Sequence, residues 1–152
     1  MSSTTCFDSE QGVFRHRRTL ANSADKVFAA FADPIRLAQW WGPDGFTNTF
    51  EIFEFKNDGQ WKFIMHGADG ADYPNDSVFQ NIVPNERIVI RHCCAPYFTL
   101  TVSLQPQATA TEIIWEQAFD NPAVAAQLRV ICEPGNEQNL DRLQQLLAGS
   151  AS

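Results

Sequence analysis

Apolar residues recur at helical spacing near the start of the chain and then alternate with polar ones over most of its length. After a first strand-like segment at Val13–Leu20, the stripe of Val27, Phe28 and Phe31 predicts an amphipathic helix. A second short helix is predicted from Asp33-Pro34, because aspartate can cap a helix and proline suits its first position. The pattern therefore predicts two short helices directly behind the first strand.

From Phe46 to Phe119 the period is two, and turn residues divide this region into strands. Trp61, Phe63 and Met65, for example, share one face of a strand. Short turns between successive strands require an antiparallel sheet. The predicted strands are Thr47–Phe55, Gln60–His66, Tyr73–Val83, Glu86–Cys94, Tyr97–Gln105 and Thr109–Phe119.

A long C-terminal helix is predicted from Asn121-Pro122 to Ala148. Pro134-Gly135 either interrupts this helix or only kinks it, since an interior proline removes one backbone hydrogen bond. The fold class is therefore α+β, with six to seven antiparallel strands and the long helix covering their apolar face. Residues 1–11 are expected to form a flexible tail, and residues 12–149 a single domain.

The composition narrows the functional classes. The chain has 152 residues, 44% of them hydrophobic, and a formal net charge of −7. An acidic chain lacks the footprint of a phosphate-backbone binder, so no nucleic-acid partner is expected, and Arg15-His16-Arg17-Arg18 is interpreted as a solvated or salt-bridged strand face. No signal-like or membrane-length apolar segment is present in the sequence, which favours a cytoplasmic protein without a membrane partner.

The sequence offers no cofactor motif. Its four cysteines, Cys6, Cys93, Cys94 and Cys132, show no metal-ligand spacing and are interpreted as reduced thiols. His66 lies near Asp69 and Asp72, and a solvent-facing turn histidine is favoured there over a metal ligand. No cofactor, no metal site and no catalytic residue is predicted.

An aromatic wall is the main candidate for function. Strand parity predicts that several large side chains point inward, either as a packed core or as the lining of a ligand cavity. His92 and Gln117 also point inward and would orient a ligand, and Tyr73 would offer a hydroxyl at the mouth. The candidate lining residues are Trp41, Trp61, Phe63, Met65, Tyr73, His92, Phe98, Leu100, Trp115, Gln117, Phe119 and Leu143.

The adjacent tryptophans leave one question open. One of Trp40 and Trp41 is expected to anchor the helix pair to the sheet. The other would line the cavity mouth or form a docking surface for a partner. The sequence does not assign these two roles.

Taken in order, several segments resemble a known family. They are Ala24–Phe31, Gln39-Trp40-Trp41-Gly42-Pro43, Trp61–Gly70, Tyr73-Pro74-Asn75, Ile82–Val89 and Asn139–Leu143. Together they resemble the START-like helix-grip (SRPBCC) superfamily, in the branch of the activator of Hsp90 ATPase homologue 1-like proteins. The chain departs from that pattern at Gly135-Asn136, where the family commonly has Gly-Trp, so its pocket would be wider or differently gated.

The resemblance implies a curved sheet that grips the C-terminal helix with a cavity between them. The leading hypothesis is a binding protein for a small hydrophobic or aromatic molecule. An alternative is a cyclase, lyase or hydrolase acting on a polyketide-like or aromatic substrate, with His92 as its acid or base. A third is an Hsp90-associated co-chaperone or regulatory module with a chaperone partner, and an exposed edge strand leaves a homodimer open.

Overall fold

The computed structural model describes residues 3–149, which form one antiparallel sheet and three helices. Eight strands follow the order β1-β2-β8-β7-β6-β5-β4-β3. The predicted α+β class and antiparallel sheet are confirmed, with one more strand than expected. The strands are β1 Ser3–Asp8, β2 Val13–Leu20, β3 Thr47–Phe53, β4 Gly59–His66, β5 Asp72–Val83, β6 Arg87–His92, β7 Phe98–Pro106 and β8 Thr111–Phe119.

Two short helices follow β2, as the apolar stripe predicts. They are α1 at Ala24–Ala32 and α2 at Pro34–Trp40. The Asp33 side chain accepts a hydrogen bond from the Ile35 backbone N–H at 3.0 Å and caps α2. The local sequence therefore fixes both the break between the helices and the start of the second.

The C-terminal helix α3 runs without a break over Pro122–Gly149 and includes Pro134. The carbonyl of Val130 is the one that an N–H at position 134 would have bonded. Val130 is 81% exposed, so water can satisfy that carbonyl and the missing bond costs little. Of the two alternatives for Pro134, the interrupted helix is excluded.

The expected flexible tail is wrong for Ser3–Asp8. These residues form β1, which pairs antiparallel with β2 over its whole length. Phe7 stacks on Phe14 with ring centroids 4.5 Å apart, and the Ser3 and Thr5 hydroxyls donate to the Glu137 carboxylate of α3. Polar composition suggested a loose segment, whereas long-range pairing supplies the order.

The core lies between one face of the sheet and the three helices. Its largest fully buried side chains include Trp40, Trp61 and Trp115, joined by leucines of α3. Register shifts in β3, between Phe50 and Ile52, and in β5, between Phe79 and Asn81, accompany the curvature of the sheet. The curved sheet around a long helix is the helix-grip arrangement.

Candidate functional site

A pocket of about 560 Å³ opens between the sheet, α3 and the loop that follows α2. Its walls come from the inward faces of β4 to β8, the Gly42-Pro43 turn and the middle of α3. The polar side chains in the lining are Asp72, Tyr73, Asn75, Ser77, His92, Gln117, Cys132, Asn136 and Asn139. Among the described residues that line it there is no lysine or arginine, and Asp72 is the one carboxylate; the rest of the lining is mostly apolar, with uncharged polar groups between.

Most of the sequence-predicted site residues meet around this pocket. Strand alternation brings the aromatic wall together because successive inward positions of neighbouring strands lie side by side. The predicted residues that line the pocket are Trp41, Trp61, Phe63, Met65, Tyr73, His92, Phe98, Leu100, Trp115 and Gln117.

Phe119 and Leu143 lie outside the lining, and their assignment to the cavity is corrected. Phe119 packs edge to face on Phe14 at 5.8 Å in a second, smaller core cluster. Leu143 is fully buried in the main core, one turn of α3 beyond Asn139, which is the last residue of that helix in the lining. Both side chains point to the interior as predicted, but at these two positions the interior is packed core and not cavity.

The two adjacent tryptophans divide the roles that the sequence left open. Trp40 is 1% exposed and donates its indole N–H to the Ala30 carbonyl at 3.1 Å, which ties α2 to α1. Trp41 lines the pocket and lies 5.0 Å from Trp61 and 5.6 Å from Trp115, centroid to centroid. Trp40 is therefore the anchor and Trp41 part of the wall.

Two buried indole N–H groups, those of Trp61 and Trp115, have no hydrogen-bond partner in the part of the chain that the structure describes. Each of these rings packs edge to face against another aromatic ring, with Phe50 at 81° to Trp61 and Trp40 at 62° to Trp115. The π faces of such rings are weak acceptors for N–H groups. The aromatic wall therefore contains two buried N–H donors whose neighbours are aromatic rings.

The loop that roofs the pocket is held by two side chains of α3. Asn139 donates to the Trp40 carbonyl at 2.9 Å and accepts from the Gly42 N–H at 3.2 Å. The Arg142 guanidinium donates to five backbone carbonyls at distances of 2.8–3.1 Å. These carbonyls belong to Gln39, Trp41, Gly42, Pro43 and Phe46.

His92 lies in the pocket wall, where its ring stacks on Phe98 at 4.4 Å. Its Nδ1 lies 2.7 Å from the Pro96 carbonyl oxygen, and its Nε2 lies 2.7 Å from Asn75 Oδ1. Burial lowers the pKa of His92, while the hydrogen bond to Pro96 opposes that shift. Both ring nitrogens are thus occupied by the protein, which fixes the ring in the wall.

Two strands away from His92, Gln117 of β8 meets Asn136 of α3. Asn136 Nδ2 donates to Gln117 Oε1 at 3.0 Å and lies 3.3 Å from His16 Nε2. His16 is fully buried behind the wall, and its Nδ1 lies 2.6 Å from Glu137 Oε2. A polar chain therefore connects the pocket wall to a carboxylate outside it.

Glu137 is the centre of an ionic cluster. Arg18, buried except for 6% of its side chain, donates to Glu137 and to Asp141 at 2.9 and 2.7 Å. Burial alone would raise the pKa of Glu137, but hydrogen bonds from Ser3, His16, Thr5 and Arg18 outweigh it and hold the pKa below its usual value. Burial lowers the pKa of His16, so that this imidazole is neutral beside an ionised carboxylate.

The remaining polar candidates lie elsewhere. His66 is outside the pocket lining, where it contacts Thr49 and Asp72, each at 2.7 Å. The basic segment forms a salt-bridged strand face, as predicted, with Arg15 on Glu116 at 2.6 Å and Arg17 on Glu112 at 3.6 Å. Within residues 3–149, no three or more His, Cys, Asp or Glu side chains are arranged to hold a metal ion.

Sequence reasoning missed the amides of α3. Asn136 and Asn139 follow Gly135 at intervals that place them on one helix face, toward the pocket and its roof. The available signal was a small residue beside two uncharged polar residues on the buried face of a helix. His16 was missed because the charged residues around it suggested a solvated strand.

None of the helices described between residues 3 and 149 is long and apolar enough to span a bilayer.

Comparison with known proteins places the chain among relatives of the same architecture. A family model described as activator of Hsp90 ATPase homolog 1-like protein matches residues 21–148. No curated protein matches the chain.

Several solved structures share the fold of this chain. A protein from Arthrobacter aurescens is 21% identical with a TM-score of 0.88, covering 96% of this chain and 91% of its own. One from Nitrosomonas europaea is 18% identical with a TM-score of 0.86, covering 95% and 99%. A protein from Rhizobium loti is 28% identical with a TM-score of 0.68, covering 97% and 100%.

Proposed function

The chain belongs to the family of activator of Hsp90 ATPase homolog 1-like proteins, and from that premise we propose that it binds a small hydrophobic or aromatic molecule in the pocket. The observation that carries the proposal is the pocket of about 560 Å³ with an aromatic wall. Small-molecule sites are typically concave, mostly apolar and furnished with a few fixed polar groups, within a range of about 300–1,000 Å³. The proposed location is the cytoplasm, which suits the free cysteines Cys6, Cys93, Cys94 and Cys132.

Apolar burial supplies the affinity in this proposal. A two-ring aromatic ligand that loses about 250 Å² of apolar surface gains about 6 kcal/mol before the cost of association. Trp41, Trp61 and Trp115 provide ring faces and edges for such a ligand. The wall is built before binding, so little ordering of side chains opposes the gain.

The test combines native mass spectrometry of freshly purified protein with a thermal-shift panel of naphthalene derivatives. Ligands of the folded state raise the unfolding midpoint, so at least one compound should stabilise the protein. Met65→Trp takes volume from the pocket and should remove the shift. Ile35→Trp is the matched control, because Ile35 is 73% exposed and outside the lining.

Absence of both a co-purified molecule and a stabilising compound would contradict the proposal. So would a shift that persists in Met65→Trp at the size seen in Ile35→Trp. Either result would mean that the volume between sheet and helix is not a binding site.

The enzyme alternative, a cyclase, lyase or hydrolase, depends on His92. This histidine lines the pocket and its pKa is lowered, as a neutral base requires. Its two nitrogens are engaged by Pro96 and Asn75, however, so proton transfer would first have to break one of these contacts. If catalysis occurs, His92→Ala should abolish turnover of an aromatic ester or polyketide-like substrate and leave the circular dichroism spectrum unchanged.

The co-chaperone alternative requires an apolar docking surface. Neither Trp40, which is buried, nor Trp41, which faces the pocket, supplies one. A pull-down with Hsp90 tests this alternative directly, and retention of the chaperone would favour it over the binding protein.

A further inference from the structure

Four side chains form a polar chain from Glu137, on the outer side of α3, to the pocket wall. At its outer end, Glu137 Oε2 lies 2.6 Å from His16 Nδ1. At its inner end, Asn136 Nδ2 lies 3.3 Å from His16 Nε2 and 3.0 Å from Gln117 Oε1. Asn136 and Gln117 line the pocket, whereas His16 is fully buried behind them.

The ionic end of this chain sets the direction of every hydrogen bond in it. Glu137, held as a carboxylate by Arg18 and by the β1 hydroxyls, can only accept. The single ring proton of neutral His16 must therefore lie on Nδ1, which leaves Nε2 as an acceptor. Only the NH₂ group of Asn136 can meet that acceptor, and its second hydrogen is donated to Gln117 Oε1.

This direction leaves one donor and one acceptor unused at the pocket. They are Gln117 Nε2 and Asn136 Oδ1, and within residues 3–149 neither atom has a hydrogen-bond partner. Neither of these unpaired atoms is fully buried, so both remain open to a molecule in the pocket.

We propose that Gln117 Nε2 and Asn136 Oδ1 form a donor–acceptor pair that selects an uncharged aromatic ligand bearing adjacent acceptor and donor groups, such as a primary carboxamide or a lactam. This inference rests on the proposed function and names its ligand class. A carboxylate is disfavoured because it would face the Asn136 carbonyl oxygen, and the described lining holds no lysine or arginine to neutralise it. His16 and Glu137 act as positioning residues, since they fix the amide orientation without touching the ligand.

The test compares three probes by isothermal titration calorimetry with the full chain. 2-Naphthamide carries an acceptor and a donor, 2-acetylnaphthalene carries the acceptor alone, and 2-naphthoate is an anion. Naphthamide should bind about tenfold more tightly than the ketone, because the ketone leaves Asn136 Oδ1 unpaired. Naphthoate should bind more weakly than either neutral probe.

Variants assign the preference to the pair. Gln117→Met removes, at similar volume, the donor to the carbonyl that naphthamide and the ketone share, so it should weaken both probes by a similar factor. Asn136→Leu removes the acceptor that only the naphthamide NH₂ can meet and should bring the naphthamide-to-ketone affinity ratio close to one. Gln107→Glu, at an exposed position outside the lining, is the control and should keep it. Loss of stability alone would weaken all probes together and leave the ratio unchanged.

The outcomes separate the two proposals. Equal binding of naphthamide and ketone, or a preference retained in Asn136→Leu, overturns the donor–acceptor pair and leaves the proposed binding function standing. Absence of binding by all three probes counts against the proposed function itself and removes the basis of this inference.

Discussion

Replacing Arg142 with alanine is expected to lower the free energy of unfolding by about 3–5 kcal/mol. The guanidinium contacts five carbonyls, one at the end of α2 and four in the loop that roofs the pocket, three through Nη1 and two through Nη2. Two NH₂ groups have four hydrogens, so at most four bonds are complete at one time. A net gain of about 1.5 kcal/mol for each bond from a charged donor gives about 6 kcal/mol as the upper limit.

Solvent reduces that limit. The Arg142 side chain is half-buried and its bond to the Gln39 carbonyl is exposed, so water replaces part of what alanine removes. Burial lowers the pKa of Arg142, but an arginine stays charged at any working pH. The expected loss is therefore about 3–5 kcal/mol, a large share of the 5–15 kcal/mol that typically separates folded from unfolded chains.

Urea denaturation followed by far-ultraviolet circular dichroism measures the loss. Arg142→Lys keeps the charge but has a compact ammonium group that reaches fewer carbonyls, so its loss should be intermediate. Arg17→Ala is the control, because Arg17 has a half-exposed ion pair at 3.6 Å and should cost less than about 1 kcal/mol. If Arg142→Ala loses no more than this control, the loop holds its conformation unaided and the reasoning fails.

Three further predictions concern the helix, the ionic cluster and the thiols. Gly135→Ala should raise the free energy of unfolding by about 1 kcal/mol, because alanine favours helix and its Cβ would have an ordinary 3.5 Å contact; a lower calorimetric midpoint would contradict this. Acid should destabilise the protein in two stages, because folding lowers the pKa of His16 below 6.5 and that of Glu137 below 4.5. The free energy of unfolding should therefore fall below pH 6.5 and again below pH 4.5, by about 1.4 kcal/mol for each unit by which the pKa is lowered. In urea titrations, Glu137→Gln should flatten the second stage. Burial raises the pKa of Cys132 to about 11, so Cys132 should react with Ellman's reagent more slowly than exposed Cys93, and equal rates would refute its burial.

The fold was predictable because its signals are local or periodic. Alternation gave the strands from β3 to β8, and Asp33-Pro34 gave the break between the first two helices. β1 was not predicted, because its order comes from pairing with β2 and from hydrogen bonds to Glu137. Glu137 lies more than 130 residues further along the chain. Contacts of that span leave no mark in a short window of sequence.

The site was predictable only as far as strand parity reaches. Parity placed Trp115 and Gln117 inward, but it cannot say where a packed core ends and a pocket begins, as Phe119 shows. The hydrogen-bond direction at Gln117 depends on His16 and Asn136, which approach from another strand and from α3. Such a convergence exists only in three dimensions.

The tryptophan cluster gives the protein an optical reporter of its own. Trp41 lies within 5.6 Å of Trp40, Trp61 and Trp115, centroid to centroid, so excitation absorbed by one indole is shared among all four. Three of these rings border the pocket, and a guest that touches any one of them would alter the emission of the coupled group. Occupancy can therefore be followed by intrinsic fluorescence, with no dye attached.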